Sequence, residues 1–197
     1  EYLAKQLEKF GAKVYNQYAD LEAWDGTILK ARNIIGAYNP DSKKRIMLCA
    51  HWDSRPYADY DADEKNHKKP IDGANDGASG VGVLLEIARQ IQKEAPTVGI
   101  DIIFFDAEDY GTPAWHRGTY KPHDWCLGSQ YWGRTPHVQG YYARYGILLD
   151  MVGGKGGTFY YEPYSYRTAR KEVKKIWEKA HELGYGSYFV KQEGSEV

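Results

Sequence analysis

The stretch Asp101–Gly111 reads DIIFFDAEDYG. Four apolar residues in a row, Ile102–Phe105, run straight into Asp106, Ala107, Glu108 and Asp109. A continuous apolar run of this length predicts a strand buried on both faces, the habit of parallel sheets covered by helices. Acids at the end of such a strand are costly to desolvate, so something must hold them there. The pattern recurs twice. IMLCAHWD (Ile46–Asp53) ends in His51 and Asp53, and ILLDM (Ile147–Met151) ends in Asp150. Between the first two strands, DGASGVGVLLEIARQIQKEA (Asp76–Ala95) places Leu84, Ile87, Ala88 and Ile91 on one helical face. Strand, helix, strand predicts an α/β fold: a three-layer sandwich with a mixed, mostly parallel central sheet flanked by helices.

Outward from there, EYLAKQLEKFG predicts a short helix stopped by Gly11, and TILKARNIIGAY (Thr27–Tyr38) a further strand. Residues 55–73 read as a surface loop, and 110–140 as a long excursion rich in Gly, Pro, Trp and His. RTARKEVKKIWEKAHELG (Arg167–Gly184) predicts an exposed amphipathic helix, and SYFVK the start of one more strand. The 197 residues suit one domain spanning 1–197. A net charge of −1 gives no electrostatic case for nucleic acid or an anionic membrane. No apolar run reaches the roughly 18 residues of a spanning helix. Cys49 and Cys126 form no Cys-x-x-Cys motif, and whether they pair is left open. Cys49 sits inside an apolar run and reads as a packing thiol. The 18 Tyr and 6 Trp fit a binding wall or a tyrosine-rich surface equally well.

If the three strands are parallel neighbours, their carboxyl ends bring His51, Asp53, Glu108, Asp109 and Asp150 to one edge. Asp76 joins them where the loop enters the helix. With no Arg or Lys at these strand ends, the acids repel one another unless a cation intervenes, and nitrogen and oxygen donors of this kind suit zinc. Each residue alone has a plainer reading: Asp76 as the helix cap, His51 as a hydrogen-bonded strand-end imidazole, Glu108 and Asp109 as solvated loop acids, Asp150 as a turn residue. Jointly, one metal centre explains them better. In His51-x-Asp53 the two side chains share a strand face, so Asp53 is placed to accept a hydrogen bond from the ring. Glu108 and Asp109 share a site only where the strand has already turned; one then binds metal while the other acts as a base. The glycine-rich GANDGASGVG lacks the Gly-Lys-Ser/Thr end of a phosphate loop, and there is no Gly-x-Ser-x-Gly elbow. His67, His116, His123, His137 and His181 read as solvated.

Taken in order, AHWDS, GANDGASGVGVLLEIAR, IIFFDAEDYG, LGSQYW and LLDMVGG resemble the zinc-dependent M28 peptidase family over roughly residues 28–155. Within that family the resemblance implies two rival site assignments. Aminopeptidases carry two zinc ions: His51 and Asp150 would bind one, Asp109 the other, Asp76 would bridge, and Glu108 would be the base. The related glutaminyl cyclases carry one zinc. There Asp76 and Asp109 would be ligands, Glu108 would shuttle a proton from the substrate amine to ammonia, and Asp150 would help hold that amine. His51 would stay off the metal.

Two departures favour the cyclase side. Asp109 stands where the peptidases carry Glu, and the segment between Asp109 and Gly128 is longer than theirs and bears Trp115 and Trp125. Trp115 is the candidate pocket wall. The family's last ligand is a histidine further along; the chain ends at KQEGSEV, so the resemblance implies a domain lacking its C-terminal part. The expectation is therefore a zinc-dependent acyltransferase acting on the N-termini of peptides or proteins, converting Gln to pyroglutamate, and exported to the periplasm or cell surface. A two-zinc aminopeptidase is the alternative, and a non-catalytic peptidase-like binding domain a distant third.

Overall fold

The structure, a computed structural model, describes residues 1–118 and 121–195. They fall into two compact units, Glu1–Gly153 and Gly154–Val197.

In the first unit a helix, α1 (Tyr2–Lys9), turns through Gly11 at φ +86° into a hairpin of β1 (Lys13–Glu22) and β2 (Ile28–Tyr38). Then come β3 (Arg45–His51), α2 (Ala78–Lys93), β4 (Gly99–Phe105), α3 (Leu127–Arg134) and β5 (Gly146–Leu148). The sheet order is β1-β2-β4-β3-β5. β1 and β4 each pair antiparallel with β2, whereas β3 pairs parallel with both β4 and β5. The sheet is thus mixed, and the three strands that end in site residues are its parallel part. Parallel neighbours need a long crossover, which α2 supplies between β3 and β4.

Every residue of β4 is buried, as its unbroken apolar run predicts. Its side chains alternate between two cores. Ile102 and Phe104 pack with Ile34, Leu48 and Ala50 beneath Leu7 of α1 and Leu84 and Ala88 of α2. Ile103 and Phe105 pack with Ile35, Cys49 and Trp132 of α3 on the other face. Helices therefore cover both faces, as expected. The one polar side chain in the middle of this wall is Asp101, fully buried at the end of the sheet away from the acids. It accepts two hydrogen bonds of 2.7 Å from Arg45 and one of 2.9 Å from the Tyr141 hydroxyl.

Several elements differ from the sequence reading. β1 was not expected: its KVYNQYADLE is largely polar because it is an exposed edge strand. α3 was missed because LGSQYWGR has two glycines and no aliphatic period. β5 is only three residues long, and its Leu148 is 62 % exposed, so the apolar run there is not a buried strand. The loop over 55–73 is not wholly at the surface, since Arg55 and Asp59 are buried.

The second unit pairs β6 (Phe159–Tyr161) in parallel with β7 (Phe189–Glu193). The expected single helix is two, α4 (Pro163–Thr168) and α5 (Arg170–Glu182). Glu162 caps α4 by accepting from the N–H groups of Tyr164 and Ser165. Trp177 of α5 packs on Tyr161 and Phe189 and donates its indole N–H to the carbonyls of Phe159 and Val190. Among the described residues no helix is long and apolar enough to cross a membrane.

Candidate functional site

β3 lies between β4 and β5, so His51 at its carboxyl end emerges among the groups carried by its neighbours. The ring is buried. Its Nε2 is 2.8 Å from Asp76 Oδ1 and 3.4 Å from Asp150 Oδ1. Its Nδ1 is 3.6 Å from Asp53 Oδ1 and 3.8 Å from Glu108 Oε2, and has no hydrogen-bond partner. The expected hydrogen bond from the ring to Asp53 is thus only an ion-pair approach. Asp53 instead accepts from the backbone N–H groups of Glu108 and Asp109, at 3.1 and 3.0 Å. The segment just after β3 therefore holds the corner after β4 by its amides.

That corner exists because Ala107 adopts φ +51°, a conformation side-chain-bearing residues rarely take. It turns the chain, so Glu108 and Asp109 no longer point to opposite faces. Asp106 steadies it, accepting from the N–H groups of Arg32 and Ala107. Asn33, buried and unremarked in the sequence, accepts from the Asp106 N–H and donates to the Gly128 carbonyl. The excursion after Asp109 comes back to its own start. Cys126, also in the left-handed region, donates its N–H to the Glu108 carbonyl and its thiol to Glu108 Oε1 at 3.3 Å.

Asp76 does not cap α2. The N-cap is Gly77, with no side-chain cap bond, and the Asp76 carboxylate turns to His51 instead. α2 comes so close to β5 that a Cβ on Gly80 would run into the Leu149 carbonyl oxygen. Backbone cannot yield as a side chain does. Gly80→Ala should cost about 1–3 kcal/mol and displace Asp150, read as a melting temperature several degrees lower and a loss of activity. A variant melting like the parent contradicts this contact.

The electrostatics follow from burial among like charges. Burial and the charges of Glu108 and Asp76 push the Asp109 carboxyl up to about 7, with Arg55 opposing. Burial also raises Glu108 and Asp106. Burial disfavours a charged His51, but Asp150, Asp53 and Glu108 outweigh it and push the imidazole up to about 11. In turn His51 lowers Asp150. Asp109 Oδ2 is buried with no hydrogen-bond partner. A buried carboxylate oxygen in that position needs a proton or a cation. The ligand atoms of His51, Asp76 and Asp150 lie within 4.8 Å of one another. These oxygen and nitrogen donors fit zinc.

A pH dependence follows. Carboxyls raised by folding, such as Asp109, bind more protons folded than unfolded, so they lower stability as pH rises from about 4 to 7. The raised His51 gives stability that is full below the ordinary imidazole value of 6.5 and is lost toward 11. His137, lowered by burial, works the other way as one group against several. The metal-free protein should therefore melt at a lower temperature at pH 8 than at pH 5, and added zinc should narrow that gap. Melting curves in chelator that rise across this window contradict the assignment.

Trp115 packs edge-on against Tyr57 and stacks on His67. Of the histidines read as solvated, His137 is not: it accepts from the Trp132 indole and lies among Tyr15 and Tyr141. Both cysteines are free. The expectation of no cation at the strand ends fails at Arg55, which pairs with Asp59 and reaches Asp109. Its proximity to HWDS was the available signal.

Against known proteins, the family model described as Peptidase family M28 matches residues 33–195. A glutaminyl cyclase structure from Bacteroides thetaiotaomicron is 64% identical, with a TM-score of 0.97, over 100% of this chain and 67% of that one. A structure from the same species, named a leucine aminopeptidase precursor, is also 64% identical, with a TM-score of 0.98, over 100% of this chain and 68% of that one. The glutaminyl-peptide cyclotransferase of Bos taurus is 30% identical over 150 residues, 64% of this chain. The chain spans 38% of that relative's length.

Proposed function

The chain belongs to peptidase family M28, and from that premise we propose that it is the zinc-dependent catalytic part of a glutaminyl cyclase, turning an N-terminal Gln into pyroglutamate with release of ammonia. The observation that carries this reading is the loop between Asp109 and Cys126. It leaves and rejoins the acid corner, with the Cys126 N–H on the Glu108 carbonyl, and it brings Trp125 against Arg55 beside Asp109. A loop that closes back on the acids suits one small side chain better than an extended peptide. The likeness to a bacterial glutaminyl cyclase supports the same reading.

In this reading Asp76 and Asp109 hold the zinc, which supplies Lewis-acid polarisation of the side-chain amide carbonyl. Glu108, whose carboxyl burial raises above its ordinary value, takes the proton from the attacking amine and passes it to the leaving ammonia. Asp150, kept ionised by His51, accepts a hydrogen bond from that amine and orients it. The amine and the amide belong to one residue, so the attack is intramolecular even in solution; what the site adds is orientation, holding the amine against the amide carbonyl in one reactive pose.

The alternative, a two-zinc aminopeptidase, draws on the cluster of His51, Asp76 and Asp150. Metal analysis of the full-length protein separates the two. One zinc per chain is expected; about two, together with release of Leu from a Leu-initiated peptide, contradicts the cyclase reading.

A further inference from the structure

Arg55 is buried and engaged on every side. Its Nε and Nη2 donate to the two oxygens of Asp59, at 2.7 and 2.6 Å. Its Nη1 donates to the Asp109 carbonyl at 3.0 Å and lies 3.6 Å from Asp109 Oδ1. Its guanidinium sits 4.6 Å from the centre of the Trp125 ring. Asp59 Oδ2 also accepts the N–H of Ala114. Gly111 lets the indole lie directly on the backbone, because a Cβ there would run into the Trp125 ring.

Resting on the zinc reading above, we infer that Arg55 is the positioning residue for Asp109: it fixes the pose in which Asp109 Oδ2 faces the metal, and through Asp59 and Trp125 it locks that pose to the tryptophan-bearing loop. The division of contacts is the reason. Asp59 already neutralises the guanidinium with both oxygens, so Arg55 does not compete with a cation for the Asp109 carboxyl. Arg55 grips Asp109 mainly by the main-chain carbonyl. Oδ1 faces the guanidinium, while Oδ2 is left buried and unpartnered. Asp53 grips the same residue from the other side, by its N–H. One planar fork meets Asp59 and Asp109 while its face rests on an indole, a combination that a lysine ammonium cannot reproduce.

The test measures zinc affinity of the full-length protein by competition with a chromogenic chelator, with the melting temperature of the metal-free form recorded in parallel. Arg55→Lys should weaken zinc binding by about 10–100-fold, the usual cost of removing a group that orients a ligand. The double variant Arg55→Met, Asp59→Leu removes both halves of the buried Arg55–Asp59 pair together and should fold even where Arg55→Lys does not; the same loss is expected of it. Folded variants that melt lower but bind zinc like the parent show a structural role only and overturn the inference. A parent protein with no measurable zinc affinity overturns the functional reading on which it rests.

Discussion

Replacing Glu108 by Gln is expected to lower kcat by about 10³-fold, within the range that a positioned general acid–base contributes. Gln keeps the shape and a carbonyl oxygen able to accept from the Cys126 thiol, which donates to Glu108 Oε1. The backbone N–H that Asp53 holds is untouched. What is lost is the ability to take and return a proton. KM should stay within a few-fold, because the interaction removed is one made in the transition state. Zinc content should match the parent, and the melting temperature should not fall, since Gln removes a carboxyl that burial disfavours. A Glu108→Gln protein with full turnover rules out Glu108 as proton carrier under either the cyclase or the aminopeptidase reading.

At the other end of the sheet, Asp101→Leu should be among the most destabilising single changes. Arg45 is buried, and its guanidinium is spent on both Asp101 oxygens and on the carbonyls of Tyr38 and Asn39. Removing the carboxylate leaves an uncompensated buried charge, which costs about 3–5 kcal/mol. For a chain of this size that is a fall in melting temperature of roughly 6–20 °C. Adding Arg45→Met to Asp101→Leu should recover most of the loss, because the penalty lies in the unpaired charge rather than in the absent pair. A single variant that melts like the parent, or a double variant no better than the single, contradicts this account. Activity per folded molecule should change little, since the pair sits at the strand ends opposite the acids.

The parallel heart of the fold was legible because its strands are buried on both faces and so are apolar throughout. That period-free pattern located β3 and β4, and their ends located His51, Glu108 and Asp109. β1 escaped notice for the same reason in reverse: an exposed edge strand need carry no apolar signal. Asp76 shows what local pattern alone gets wrong. An Asp before a helix reads as its cap, yet Gly77 at φ +83° takes that position and frees the carboxylate for His51. Asn33 was invisible because its partners Asp106 and Gly128 lie far along the chain, and contacts of that kind leave no periodic trace; the reach of Arg55 to Asp109 escaped notice for the same reason, although its pairing with Asp59 is local. The left-handed turn at Ala107, on which the acid corner depends, is likewise set by long-range hydrogen bonds such as that from Leu127 to its carbonyl. No alanine advertises it.

The most direct test of the central claim is the product itself. The zinc-loaded full-length protein is incubated with a Gln-initiated peptide, and the peptide is followed by mass spectrometry. The account predicts loss of ammonia from a peptide otherwise intact, with no free amino acid released, and the same outcome whatever residue follows the Gln. Free glutamine and a peptide shortened by one residue would contradict it and assign the acid corner to hydrolysis.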